Sequence, residues 1–241
     1  MNPLLYLTIF LILVSVFTLE VIAPASKNNC DRRWLILASS INTLQIAVAL
    51  AAGHFFHQWF AGHALFQLEG IVSPFVGGLL TFAFASFIGY WWHRISHLSP
   101  LLWRVFHQLH HSPARVESLT AFFAHPFDSV AAALISCLTA YLLLGLSVMS
   151  AAWAILFVSV FNIYIHSDTR SPRWLGYIVQ RPEMHRVHHK FEHHAQNYGL
   201  PIWDMLFGTW ANPAHYVEQC GFSPEKAAMI YEMLCFKDVH D

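Results

Sequence analysis

Five long apolar runs leave few folds open to this chain. They extend from Leu4 to Ala23, Trp34 to Phe56, Ile71 to Trp92, Phe127 to Met149 and Ser150 to Ile165. A helix needs about 20 mostly apolar residues to cross the hydrocarbon core of a bilayer. The last two runs are separated by a short turn near Gly145; they read as two tight crossings or as a hairpin that dips incompletely through the membrane. Composition agrees: 56% of the 241 residues are hydrophobic and 11% charged, against roughly 25% charged in soluble domains. The expected fold is all-α, an integral membrane bundle of about four or five transmembrane helices with a cytosolic cap of short helices. Ala23-Pro-Ala25 resembles a small-residue cleavage site. The first run nevertheless lacks a basic leader and is long, so it reads as a retained anchor.

Lysine and arginine set the orientation, since they favour the cytoplasmic side. Lys27, Arg32 and Arg33 lie between runs one and two. The stretch from His57 to Gly70 has neither lysine nor arginine, and every other basic residue follows run three outside the hairpin. Five crossings with an external N-terminus put all 13 basic residues in the cytoplasm. The expected organisation is transmembrane helices over 1–70, a catalytic region over 71–212 and a C-terminal cytosolic helix over 213–241, with Ser223 to Phe236 as one amphipathic helix. A net charge of -1 offers no footprint for nucleic acid. Cys30, Cys137, Cys220 and Cys235 show no CxxC pairing and read as reduced and incidental.

Against this apolar background the chain has 17 histidines. Eight of them fall into three groups: His93-Arg-Ile-Ser-His97, His107-Gln-Leu-His110-His111 and His185-Arg-Val-His188-His189. Residues three and four apart share a helix face, so each group is expected to aim its rings at one point. Unpaired polar rings beside membrane helices are costly, and neutral imidazole is a common transition-metal ligand. His166, at the end of run five, is placed to reach the same centre. An all-nitrogen donor set disfavours iron–sulfur clusters and structural zinc, and suits iron, copper, or zinc as a substitute. So many rings exceed one coordination sphere, so two metal ions are expected.

The segments YWWHRISH (90–97), HQLHH (107–111) and HRVHH (185–189), with NYG (197–199) and WDMLFGTW (203–210), resemble the fatty acid hydroxylase/sterol desaturase superfamily over about residues 75 to 212. The resemblance implies a membrane-embedded di-iron oxygenase with two Fe ions and O₂ as co-substrate. It implies His93, His97, His107, His110, His111, His166, His185, His188 and His189 as ligands. Some members carry a further histidine where this chain has Asn162, which is then a weak ligand, a water holder or a neighbour of the ligands. His125-Pro126 resembles a pattern of the sterol-oxidising branch; otherwise it is a helix-starting pair. Asn197 and Asp204, then Asp168 and Glu183, are candidates for orienting the rings. Arg94 and Arg186 follow ligands directly and either join these neighbours of the rings or meet lipid headgroups. His193 and His194 are expected at the rim, and His54, His57 and His63 on the far side of the membrane.

The implied reaction is hydroxylation or desaturation of a membrane lipid: a sterol, a fatty acyl chain, an ether lipid or a carotenoid. GxGxxG, a haem module and a ferredoxin cysteine cluster are absent, so electrons are expected from a separate donor protein docking near Arg104, Arg173 and Lys190. The alternative is a membrane metal carrier without oxygenase activity. The compact chain suggests a bacterial inner-membrane protein with its centre on the cytosolic side.

Overall fold

The computed structural model describes residues 3–26, 30–193 and 195–239; Lys27, His194 and His240 lie outside them. Among the described residues the regular structure is helical, with two isolated bridges and no strand. The helices are α1 (Pro3–Ile22), α2 (Arg32–Phe60), α3 (Pro74–Leu98), α4 (Pro100–Leu102), α5 (Gln108–His111), α6 (Pro126–Cys137), α7 (Val148–His166), α8 (Pro182–His188), α9 (Pro201–Leu206), α10 (Pro224–Ala227) and α11 (Ile230–Leu234). Five stretches are long and apolar enough to cross a membrane: α1, α2, α3, α7, and α6 with the π-helical turn that extends it to Leu143. By length and composition, then, each of the last two runs is a candidate span.

Local chemistry explains the helix ends. Asp31, Ser73 and Ser147 accept the amides of Trp34, Val76 and Ser150 and so cap α2, α3 and α7. Between α6 and α7 the chain reverses at Gly145, whose φ of +59° favours glycine. α3 and α7 run parallel and form the tightest helix pair. A Cβ at Gly77 would come within 2.5 Å of Ser150 Oγ, and one at Gly78 would overlap Trp153. Small residues permit this close backbone approach. α6 packs mainly on α2 and only loosely on α3 and α7, which leaves a cleft among the three.

The end of α7 and the starts of α2 and α6 meet at one end of the bundle, and the polar remainder of the chain folds there. Buried Glu20, near the end of α1, accepts the backbone amides of Ser118 and Asp168. Trp34 donates to Glu117, and Asn42 to the Leu119 carbonyl. Trp103, Leu109, Phe123, Phe222 and Met233 form a core beneath α2. The C-terminal stretch departs from expectation. The helix breaks at Met229 (φ -82°, ψ 47°) into α10 and α11, because Met233 and Phe222 turn into that core.

Candidate metal centre

The nine histidines predicted as ligands come together at the junction of α3, α5, α7 and α8, and they form two groups. His93, His97, His107, His111 and His188 offer nitrogens within 4.8 Å of one another, and so do His110, His166, His185 and His189. The groups adjoin where His111 and His189 stack at 4.2 Å.

This division corrects the expectation that each sequence group aims at one point. In HQLHH, His107 and His111 join the first group and His110 the second; in HRVHH, His185 and His189 join the second and His188 the first. The reason is angular. At about 100° per residue, positions i and i+4 differ by only about 40°, whereas neighbours diverge by about 100°. Each HxxHH segment therefore serves both groups. The turn before α5 is π-helical over Trp103–His107, a local widening common at functional sites.

Backbone carbonyls fix several rings. His93, His110, His166 and His188 each direct Nδ1 at a carbonyl, those of Tyr198 (2.7 Å), Phe123 (3.2 Å), Asn162 (2.8 Å) and Gln196 (2.8 Å). A carbonyl can only accept, so Nδ1 carries the proton and Nε2 keeps its lone pair. The consequence is sharpest for His110 and His166, whose Nε2 atoms lie 3.2 Å apart. Two lone pairs face each other with no proton to share. His185 Nε2 lies 2.9 Å from His166 Nε2 and 3.2 Å from His189 Nε2, and His107 Nε2 lies 3.1 Å from His111 Nε2. His93 Nε2 is buried with no hydrogen-bond partner among the described residues. A bound cation accounts for these facing acceptors. With metal–nitrogen bonds of about 2.0–2.1 Å, ligands at right angles sit about 3.0 Å apart, close to the observed separations. The residues present fit a metal centre.

The rings are held neutral. Burial, aided by neighbouring imidazoles, keeps His110, His111, His185 and His189 well below the usual histidine range. Asp204 supports His93 indirectly: it accepts the amides of Tyr198 (2.9 Å) and Gly199 (3.1 Å) and the Thr209 hydroxyl (2.7 Å). Burial pushes its carboxyl up to about 6 against the pull of those donors. Asn197 ties the first turn of α8 to the tail, donating to the carbonyls of Met184 and Ala211.

Other candidates stand apart from the nine. His125 caps α6 by accepting the Phe127 amide, and its Nε2 faces the Leu234 carbonyl; it belongs to neither group. Asp168 binds Ser26 and Tyr216, and Glu183 binds Ser171 and pairs with Arg181. Arg186 is not at a headgroup: it is fully buried, donating to the carbonyls of Val217, Val116 and Glu218. Arg94 donates to Tyr90 and to the Phe207 carbonyl.

Beside the rings lies a cavity of about 250 Å³, walled by one face each of α3, α6 and α7. Phe82, Ala85, Ala132, Ile135, Val158 and Phe161 make most of it apolar, and His93, His107, His110, His166 and His185 line its ring end. Asn162 lines it too. One wall residue escapes a motif-based reading: Asp128, an acid just inside an apolar run, which lines the cavity beside Trp92. Such a residue is itself a functional signal.

Comparison with known proteins agrees. Residues 78–209 match the fatty acid hydroxylase family. The ornithine lipid hydroxylase OlsE of Rhizobium tropici is 33% identical over 141 residues, covering 56% of this chain and 42% of that protein. An alkylglycerol monooxygenase of Caenorhabditis elegans is 28% identical over 139 residues, covering 55% of this chain and 26% of that protein. One of Danio rerio is 33% identical over 129 residues, covering 51% and 28%. The chain spans less than half the length of each of these relatives. No solved structure matches it. Histidines in the family's order, five candidate spans and a match across more than half its length lead to one assignment: this chain belongs to the fatty acid hydroxylase family.

Proposed function

We propose that this integral membrane protein is a di-iron oxygenase that hydroxylates or desaturates a lipid, using O₂ and electrons from a separate donor protein. One observation carries the reading: two adjoining groups of imidazoles, seven of the nine buried, open onto an apolar cavity walled by spanning helices. The relatives' names, a hydroxylase of ornithine lipid and monooxygenases of alkylglycerol, support a lipid substrate. Two iron ions held by the nine histidines would supply reductive activation of O₂ and attack on an unactivated C–H bond; zinc is a possible substitute.

The chain's own residues supply the rest. Carbonyls of Tyr198, Phe123, Asn162 and Gln196 orient four rings and fix which nitrogen binds. Asn162 lines the cavity beside His166 and serves there as a weak ligand, a water holder or a neighbour of the ligands. The apolar walls position an alkyl chain and exclude water from the rings. That cavity favours catalysis over metal carriage, which needs no substrate space. Arg32, Arg33, Arg104 and Arg173 at the ring end support a cytoplasmic centre, by the positive-inside rule, and Arg104, Arg173 and Lys190 are candidates to meet the donor. A bacterial inner membrane remains the proposed location.

The test is oxygen-dependent product formation by purified, iron-loaded protein, assayed alongside metal content. Two ions per chain and loss of product on His110→Ala are expected. Full turnover by that variant would refute the reading.

A further inference from the structure

Asp128 is an acid inside a candidate span, in the first turn of α6. Such residues are expensive in a bilayer and mark function unless they are satisfied. The ordinary reading is a helix cap, with the carboxyl accepting amides of its own first turn. His125 does that instead, taking the Phe127 amide. The Asp128 carboxyl accepts a hydrogen bond from the Trp92 side chain on α3, its one hydrogen-bonded side chain among the described residues. It has no cationic partner there either: the ion pairs of Arg and Lys are Arg115–Glu117 and Arg181–Glu183.

A carboxylate offers about four lone-pair positions, and one indole leaves most of them open. Asp128 keeps part of its surface exposed, and it lines the cavity beside Trp92, His93 and Ala132. The Ser86 hydroxyl on the same wall is already engaged, donating to the Ala83 carbonyl and accepting from Trp203. The cavity therefore holds a strong acceptor in need of donors, within a mostly apolar wall and at the level of the rings.

We propose that Asp128 determines specificity: its carboxyl accepts a hydrogen bond from a hydroxyl or ammonium group of the bound lipid and turns away chains that end in a free carboxylate. The proposal rests on the reading of the cavity as a lipid site. A site built to accept a hydrogen bond rejects an analogue that lacks the donor, because the acceptor, covered by the bound ligand, is then left unpaired. A ligand carboxylate adds like-charge repulsion.

The test uses four labelled probes with one alkyl chain: dodecan-1-ol, dodecylamine, methyl dodecyl ether and dodecanoate. Each is partitioned into phosphatidylcholine nanodiscs holding the full chain, and retention is read over empty discs. The alcohol and the amine should be retained about tenfold better than the ether and the carboxylate, the scale of one hydrogen bond to a charged group. Asp128→Leu should raise the ether to the level of the alcohol. Asp128→Asn, which keeps size and an acceptor, should hold the alcohol and lose the advantage of the amine. Equal retention of alcohol and ether by the unaltered chain, or a preference that survives in Asp128→Leu, overturns the role of Asp128 and leaves the lipid site standing. Retention of no probe overturns both.

Discussion

Asp204 never reaches the imidazoles, yet it holds the Tyr198 amide at 2.9 Å while the carbonyl of the same residue takes the Nδ1 proton of His93 at 2.7 Å. A tail residue thus sets the tautomer of a ring on α3 through one backbone unit. Asp204→Asn should weaken metal retention by about 10–100-fold, the usual cost of losing an outer partner, with the helical fold kept. Metal content after graded chelation, beside circular dichroism, measures it.

His110 and His125 should behave as opposites. His110→Ala removes a ring whose Nε2 faces His166 at 3.2 Å, so bound metal should drop from two ions towards one and product should fall by at least about 100-fold. His125→Ala removes a helix cap, costing about 1 kcal/mol of stability with metal content unchanged. Elemental analysis and thermal unfolding of both variants separate a ligand from a cap.

Acid should release the metal and loosen the fold together. Burial lowers His110, His111, His185 and His189 from the ordinary value of 6.5. The unfolded chain therefore gains protons first as pH falls. The stability these neutral rings contribute is fully present above 6.5 and is lost as pH drops below it towards their folded values. Protons also compete with the metal for the same nitrogens. Melting temperature and metal content should both be level above about 6.5 and decline below it; a flat acid limb in both would count against neutral rings.

Two glycines in spanning helices should answer differently to alanine. Gly78→Ala drives a Cβ into Trp153 and should cost about 1–3 kcal/mol by overpacking the α3–α7 contact. Gly53→Ala meets nothing within 4 Å and should be neutral or slightly stabilising, as alanine is the better helix former. Unfolding of each variant in the same detergent compares them directly.

Much of the architecture was legible along the chain. The apolar runs announced the five candidate spans, and spacing singled out eight of the nine rings that meet at the centre, with His166 added by its place at the end of run five and by the family resemblance. Less legible were features that depend on partners far away in sequence. Arg186 looked like a headgroup residue but is buried against the carbonyls of Val116, Val217 and Glu218. Ser223 to Phe236 looked like one helix, but burial of Phe222 and Met233 in the core bends it at Met229. Asp128 gave a signal, an acid within an apolar run, but the cavity that explains it exists only once α3, α6 and α7 are side by side.

Sequence alone determined which segments are apolar enough to cross a membrane and which rings stand on a common helix face, because both follow from composition and a local repeat. The tertiary structure decided how the rings are shared. His110 and His111 are chain neighbours, yet each HxxHH segment divides its rings between the two groups. Helix rotation turns adjacent side chains about 100° apart, and only the packing of α3, α5, α7 and α8 brings each to a partner from elsewhere in the chain.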